Sequence, residues 1–193
     1  MLRVSGATRS SLSKPLTYPE IEGYLYEVAN VLGEDGDNRI VVVVGGALLA
    51  YYQIRNTTTD VDSARLIDQD LAAAILEVAK RHGLDEDWMN PRGFPHRPLT
   101  LHEEDCEVMM EHGRLKVLAA PVDQVFLMKL DSDRTRDQMD LVLAWPATSF
   151  ESADEVLEAF RSAYPPGLPE GEHEYYLRMV EEIIEEAEDR AQG

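Results

Sequence analysis

Residues 41–64 read VVVVGGALLAYYQIRNTTTDVDSA: a valine run, a glycine pair, a short apolar segment, a polar loop and two aspartates one residue apart. The β-branched run with Ile40 and Arg39 before it predicts a strand over 39–44, since an unbroken apolar run this short suits a strand covered on both faces. Gly45 and Gly46 end that strand. "GALLAYYQI" is compatible with a short helix, "RNTTT" with a loop and "DVDSARLI" with a second strand. Side chains two apart on a strand share a face, so Asp60 and Asp62 can both reach one divalent cation. A glycine pair at a strand-to-helix turn puts no Cβ between the backbone amides and an approaching phosphate. The plain alternative is a tight turn followed by two acids that cap a strand.

Working outward, "TYPEIEGYLYEVANVLGE" has Thr17 as a cap, Pro19 near the start and apolar residues at Ile21, Leu25, Val28 and Leu32, the spacing of an amphipathic helix. "DQDLAAAILEVAKRHGL" is a second helix, with acids in its first turn, Lys80, Arg81 and His82 in its last, and Gly83 as its stop. "DEDWMNPRGFPHRPLTL" holds three prolines and has no period, which predicts a long loop. "CEVMM", "EHG" and "RLKVLAA" predict a β-hairpin turning near His112 and Gly113. Two helical segments follow, broken near Asp133. Strands that alternate with helices and then give way to a hairpin and helices make the class α/β (α+β), with a small mixed sheet. Residues 1–16 are expected to be a flexible arm, 17–150 the main domain and 151–193 an acidic helical extension packed on it.

The chain has 193 residues, 44% of them apolar, enough for one substantial core. With 18 Lys and Arg against 37 Asp and Glu its formal charge is −19, which disfavours diffuse binding to DNA or to anionic membranes. Residues 151–193 carry 13 acids and 3 basic residues, a net of −10, so about half of the charge excess lies in the extension. Its last helix keeps an apolar stripe at Tyr176, Met179, Val180, Ile183, Ile184 and Ala187 and should pack on something. No run approaches the roughly 18 apolar residues that read as a membrane span. The single cysteine, Cys106, excludes an internal disulfide and has no cationic neighbour in sequence to activate it. A cytoplasmic location is the expectation.

Strand, Gly-Gly, 13 intervening residues (47–59) and then Asp-Val-Asp resembles the nucleotidyltransferase superfamily related to DNA polymerase β. That resemblance implies that Gly45 and Gly46 hold nucleotide phosphates, and that Asp60 and Asp62 hold Mg2+, with two ions able to take part, for in-line attack on the α-phosphate of an NTP. The superfamily usually adds a third carboxylate on a neighbouring strand. Glu107 is the metal-ligand candidate, its other reading being an exposed strand glutamate; "RLKVLAA" offers no acid, so the site departs from the full pattern if that strand is the neighbour.

"APVDQVFLMKLDSDRTRDQMDLVLA" resembles a region of the AbiEii-like nucleotidyltransferases and an allied group of uncharacterised bacterial proteins. The matching positions are Lys129, Arg136, Asp137 and Asp140, which implies nucleotide contacts for Lys129 and Arg136 and catalytic parts for Lys129 and Asp140. A bland set of helix-end salt bridges, Arg136 to Asp140 among them, is the other reading. Arg55, ahead of the aspartates, would contact the nucleotide or brace the loop. Arg92, His96 and Arg97 make "WMNPRGFPHR" the most basic part of the middle of the chain, suited to a phosphate-rich acceptor or to a plain surface loop. AbiEii-like proteins include toxins of toxin–antitoxin pairs. The resemblance therefore implies transfer of a nucleoside monophosphate to a hydroxyl of tRNA or of a protein side chain, with a cognate antitoxin as partner. The alternative is a nucleotidyltransferase-like binding or regulatory module without catalysis.

Overall fold

The valine run forms strand β1, Arg39–Val44, and its last four residues are buried. In the computed structural model, which describes residues 14–132, 137–168 and 171–192, β1 is the middle strand of a mixed five-stranded sheet. The other strands are β2 (Val61–Ser63), β3 (Met89–Asn90), β4 (Glu107–His112) and β5 (Leu115–Ala119), in the order β3-β2-β1-β5-β4. β2 runs antiparallel to β1, with Val44 opposite Asp62, and β5 runs parallel to it on the other side. The fold class is mixed α/β, as the sequence pattern predicts.

Helix α1, Tyr18–Leu32, starts with a reciprocal cap between Thr17 and Glu20 and buries Ile21, Leu25, Val28 and Ala29. The Thr17 backbone N–H, together with Lys14 and the Thr17 hydroxyl, holds the Glu20 carboxyl down at about 2. Helix α2, Gly45–Tyr51, leaves β1 directly at the glycine pair. Helix α3, Gln69–His82, is capped by the Asp68 side chain on the Leu71 N–H and stopped by left-handed Gly83. Helix α4 spans Val122–Asp131 and α5 spans Asp137–Ala144. Helices α6, Ala153–Ala163, and α7, His173–Gln192, complete the fold. α3 packs on α1, α4 touches α2, α5 and α6, and α7 lies on α5 and α6. A single buried apolar cluster runs from Leu16 through Phe126 to Ala187, so the extension shares the core of the main domain.

Three expectations are corrected. Leu16 belongs to the fold: it is 1% exposed, and its N–H and carbonyl exchange hydrogen bonds of 2.6 and 2.9 Å with Thr58. Leu16 is therefore no part of the arm expected over 1–16, and residues 1–13 lie outside the described ones. The strand expected over "DVDSARLI" is only three residues long, because Ser63 turns its hydroxyl onto the Arg65 backbone and bends the chain away. The proline-rich loop contains β3, which pairs parallel to β2 and is anchored by buried Trp88, whose indole N–H donates to the Ile75 carbonyl at 3.3 Å. Among the described residues no helix is long and apolar enough to cross a membrane.

Leu48, on α2 and fully buried, fixes that helix on the sheet. Leu48→Ala should lower unfolding free energy by about 2–5 kcal/mol, the range for emptying such a site, measured by urea denaturation.

Candidate functional site

β1 ends, α2 begins and β2 passes antiparallel at the same point, so Gly45, Gly46, Asp60 and Asp62 meet at one end of the sheet. They line a cavity of about 610 Å³ with Arg55, Thr58, Arg92, His96, Lys129 and Asp140. That volume lies in the range of small-molecule sites, roughly 300–1,000 Å³. Val44, Val125 and Met128 give it an apolar side.

The glycines make this junction possible in a way the sequence alone does not disclose. Gly45 has φ +66°, a left-handed conformation that suits glycine, and a Cβ there would come within 3.0 Å of Asp62 Oδ2. A Cβ on Gly46 would lie 2.5 Å from Thr58 Oγ1 and 3.3 Å from an Arg55 guanidinium nitrogen. The space left by the missing side chains is thus taken first by the protein's own Asp62 and Thr58 loop.

Asp60 and Asp62 differ in setting. Asp60 accepts from Arg92 at 3.3 Å and from the Thr59 hydroxyl at 3.4 Å. Asp62 is more deeply placed, and its Oδ1 is buried with no hydrogen-bond partner among the described residues. Burial first, and then the Asp60 carboxylate, push the Asp62 carboxyl upward; Asn90, Arg92 and Lys129 offset part of this. A buried acceptor without a donor, beside a second carboxylate, is an arrangement that a hard cation would satisfy. These residues fit Mg2+, which takes one or two carboxylates and keeps waters or substrate phosphates for its other positions.

Across the cavity Asp140, 8% exposed, accepts from Lys129 Nζ at 2.7 Å and from Arg55 at 3.1 and 3.4 Å. α4 supplies the lysine, α5 the aspartate and the loop between α2 and β2 the arginine. A charge-assisted network ties three segments together at the cavity wall. Arg55 therefore braces the loop, one of the two roles open to it from sequence.

Glu107 is not brought to this site. It sits at the start of β4, with β5 between it and β1, and accepts from the hydroxyls of Tyr51 at 2.9 Å and Tyr52 at 3.5 Å. Tyr51 lies six residues along α2 from Gly45, about 9 Å at 1.5 Å per residue, and Glu107 lines a separate surface cavity with it. The metal role expected for Glu107 is thus corrected to that of a clamp between the end of α2 and the edge strand. The strand beside β1 is β5, whose residues Leu115, Lys116, Val117, Leu118 and Ala119 include no acid. Among the described residues no group of three or more His, Cys, Asp or Glu side chains is placed to hold a metal ion. Arg136 lies outside the described residues.

The basic loop divides. Arg92 and His96 face the cavity, while Arg97 donates to the Leu101 carbonyl at 2.6 Å. Gly93, which sequence reasoning passed over, packs so closely on the ends of β1 and β2 that a Cβ would meet Val44 Cγ2 at 2.5 Å and the Ser63 carbonyl oxygen at 2.9 Å. Its neighbours Pro91 and Arg92 were the available signal. Cys106 is partly buried, and burial and adjacent acids push its thiol up to about 11, the opposite of the shift that activates a thiol. Comparison of the chain with protein-family models, curated proteins and solved structures gave no significant match.

Two predictions rest on this geometry. Gly46→Ala should cost about 1–3 kcal/mol through overpacking, and adding Thr58→Ala should recover part of the loss in a double-mutant cycle by chemical denaturation. The raised Asp62 carboxyl gives the second. Because its folded value lies above the unfolded one, the stability it affects is intact below the ordinary carboxylate range and falls as pH rises through the folded value. Asp62→Asn should therefore melt higher than wild type at pH 7 without added metal, with the gap closing as pH drops below the ordinary carboxylate range. Equal melting temperatures at pH 7 would contradict this account of Asp62.

Proposed function

We propose that the chain is a magnesium-dependent nucleotidyltransferase that moves a nucleoside monophosphate from an NTP to a hydroxyl acceptor. The observation that carries the reading is convergence: Gly45, Gly46, Asp60 and Asp62 of one motif and Lys129 and Asp140 of the other, some 70 residues apart in sequence, line one cavity, with one oxygen of Asp62 buried and without a donor among the described residues. Asp60 and Asp62 would hold the ion, which when bound neutralises phosphoryl oxygens and orients them for in-line displacement. Lys129 and Arg55, at present on Asp140, stand where they can turn a positive charge toward phosphate oxygens. Asp140 keeps both cations at the wall, and with them engaged elsewhere it can accept a hydrogen bond from an acceptor hydroxyl. Val44, Val125 and Met128 offer a nucleobase an apolar surface. The charge of −19 favours a protein hydroxyl over tRNA as acceptor. A cognate antitoxin and a cytoplasmic location belong to the same reading.

A binding or regulatory module without catalysis is the second reading. It is favoured by one observation: the neighbouring strand β5 brings no third carboxylate, so the ion would rest on two.

The test is transfer of label. Wild type and the Asp60→Ala, Asp62→Ala double variant are incubated with each α-labelled NTP, Mg2+ and cell lysate, with or without ribonuclease treatment. The expected result is label on protein acceptors with wild type and a loss of at least about 100-fold in the variant, the scale of removing the charge-stabilising centre. Nucleotide-dependent stabilisation of wild type without label on any acceptor would select the binding module instead.

A further inference from the structure

Arg92 sits where a cation's charge would be most strongly felt. One guanidinium nitrogen is 3.3 Å from Asp60 Oδ2 and the other is paired with Asp87, on the rim. The turn that carries it is rigidly placed. The Asn90 side chain accepts from the Arg92 N–H at 2.9 Å, β3 pairs with β2 one residue from Asp60, and Gly93 lies against the Ser63 backbone. The Arg92 side chain itself is 60% exposed, so its root is held by the turn and its tip by these two ion pairs alone among the described residues.

We propose that Arg92 is a two-position gate on the aspartate pair: with the site empty its guanidinium covers Asp60 in place of a metal ion, and with a Mg2+–triphosphate bound it turns to the phosphate oxygens while remaining tethered to Asp87. This rests on the proposed nucleotide site and adds a substrate requirement to it. A bare divalent ion must displace a guanidinium and then lie beside its positive charge, whereas a polyphosphate brings negative charge that receives both. The site therefore takes the metal with the phosphates and resists it alone. Arginine suits the task because its planar fork exchanges a carboxylate for a phosphate without loss of geometry.

The test is isothermal titration of wild type, Arg92→Ala and Arg92→Lys with Mg2+ alone and with Mg2+–tripolyphosphate, which carries the shared part of every NTP. Thermal unfolding in metal-free buffer serves to confirm that the exposed-site variants are folded. Arg92→Ala should bind Mg2+ about fivefold more tightly than wild type, the scale of one exposed ion pair. It should bind Mg2+–tripolyphosphate about tenfold or more weakly, the scale of one charge-assisted hydrogen bond. Arg92→Lys, which keeps the charge but not the fork, should match wild type with Mg2+ and fall between the other two with tripolyphosphate. If Arg92→Ala binds bare Mg2+ no better than wild type, the gate is wrong, while tight wild-type binding of Mg2+–tripolyphosphate would leave the nucleotide site standing. If wild type binds neither probe, the nucleotide site and the gate both fall.

Discussion

The site depends on a missing side chain. β1 and β2 approach antiparallel with Val44 opposite Asp62, and one residue later the chain turns into α2 at Gly45. A Cβ at Gly45 would press on the Asp62 carboxylate and one at Gly46 on the Thr58 hydroxyl, so both would have to shift from the point at which α2 begins. The Thr58 loop is held from its other side by Leu16, which pairs with it in a two-hydrogen-bond bridge. A residue from before the first helix thus presses the loop onto the glycines, and its burial supplies the apolar drive for doing so. Gly93 repeats the device on the far side of β2, where contact with the Ser63 carbonyl sets the basic loop over the aspartates.

Charge within the cavity follows a different rule from charge on the surface. The chain as a whole has twice as many acids as bases, yet the cavity sets Arg55, Arg92 and Lys129 against Asp60, Asp62 and Asp140. The balance is uneven in depth. Asp140 is satisfied by two cations at the wall, Asp60 is half-covered by an exposed arginine, and Asp62 retains a buried oxygen without a donor. A buried carboxylate oxygen without a donor costs free energy in the folded state, even where Asn90 acts on the same carboxyl. Its place beside a second carboxylate is the kind of locally unfavourable arrangement that concentrates at working sites.

The sheet's centre was legible because burial on both faces leaves one composition: the run at 39–44 could be little else, and β1 occupies those residues. α1 and α3 were legible from their period and caps, which act locally. β3 was not, since two residues between Trp88 and Pro91 have no period to read, and parallel pairing to a distant strand is a tertiary fact. The placing of Glu107 failed for the same reason. Alternation along "CEVMM" gives the face of a strand but not its rank in the sheet, and β5 separates it from β1. At the site, spacing brought Asp60 and Asp62 to one side, and helical context brought Lys129 and Asp140 to the wall. Sequence could not disclose that Arg55 and Lys129 converge on Asp140, because their separation along the chain has no local period and only the packing of α4 against α5 and α2 closes it.

The acidic C-terminal piece has its place in the same construction. α7 carries seven acids against two arginines, but its inner face, Val180, Ile183 and Ala187, is buried against a core to which α5 also belongs. α5 is only eight residues long and presents Asp140 at its middle. A helix that short has little stability of its own in water and is held by what packs on it. α7, of 20 residues, lies along α5 and α6 and supplies that support, with its acids turned outward to solvent where they need no partner. The charge that marks the extension in sequence is thus a property of its outer face, and its contribution to the site passes through the apolar face that sequence shows only as a stripe. Shortening α7 from its C-terminus would act on the cavity by loosening the helix that holds Asp140 between Lys129 and Arg55, rather than by changing the field around it.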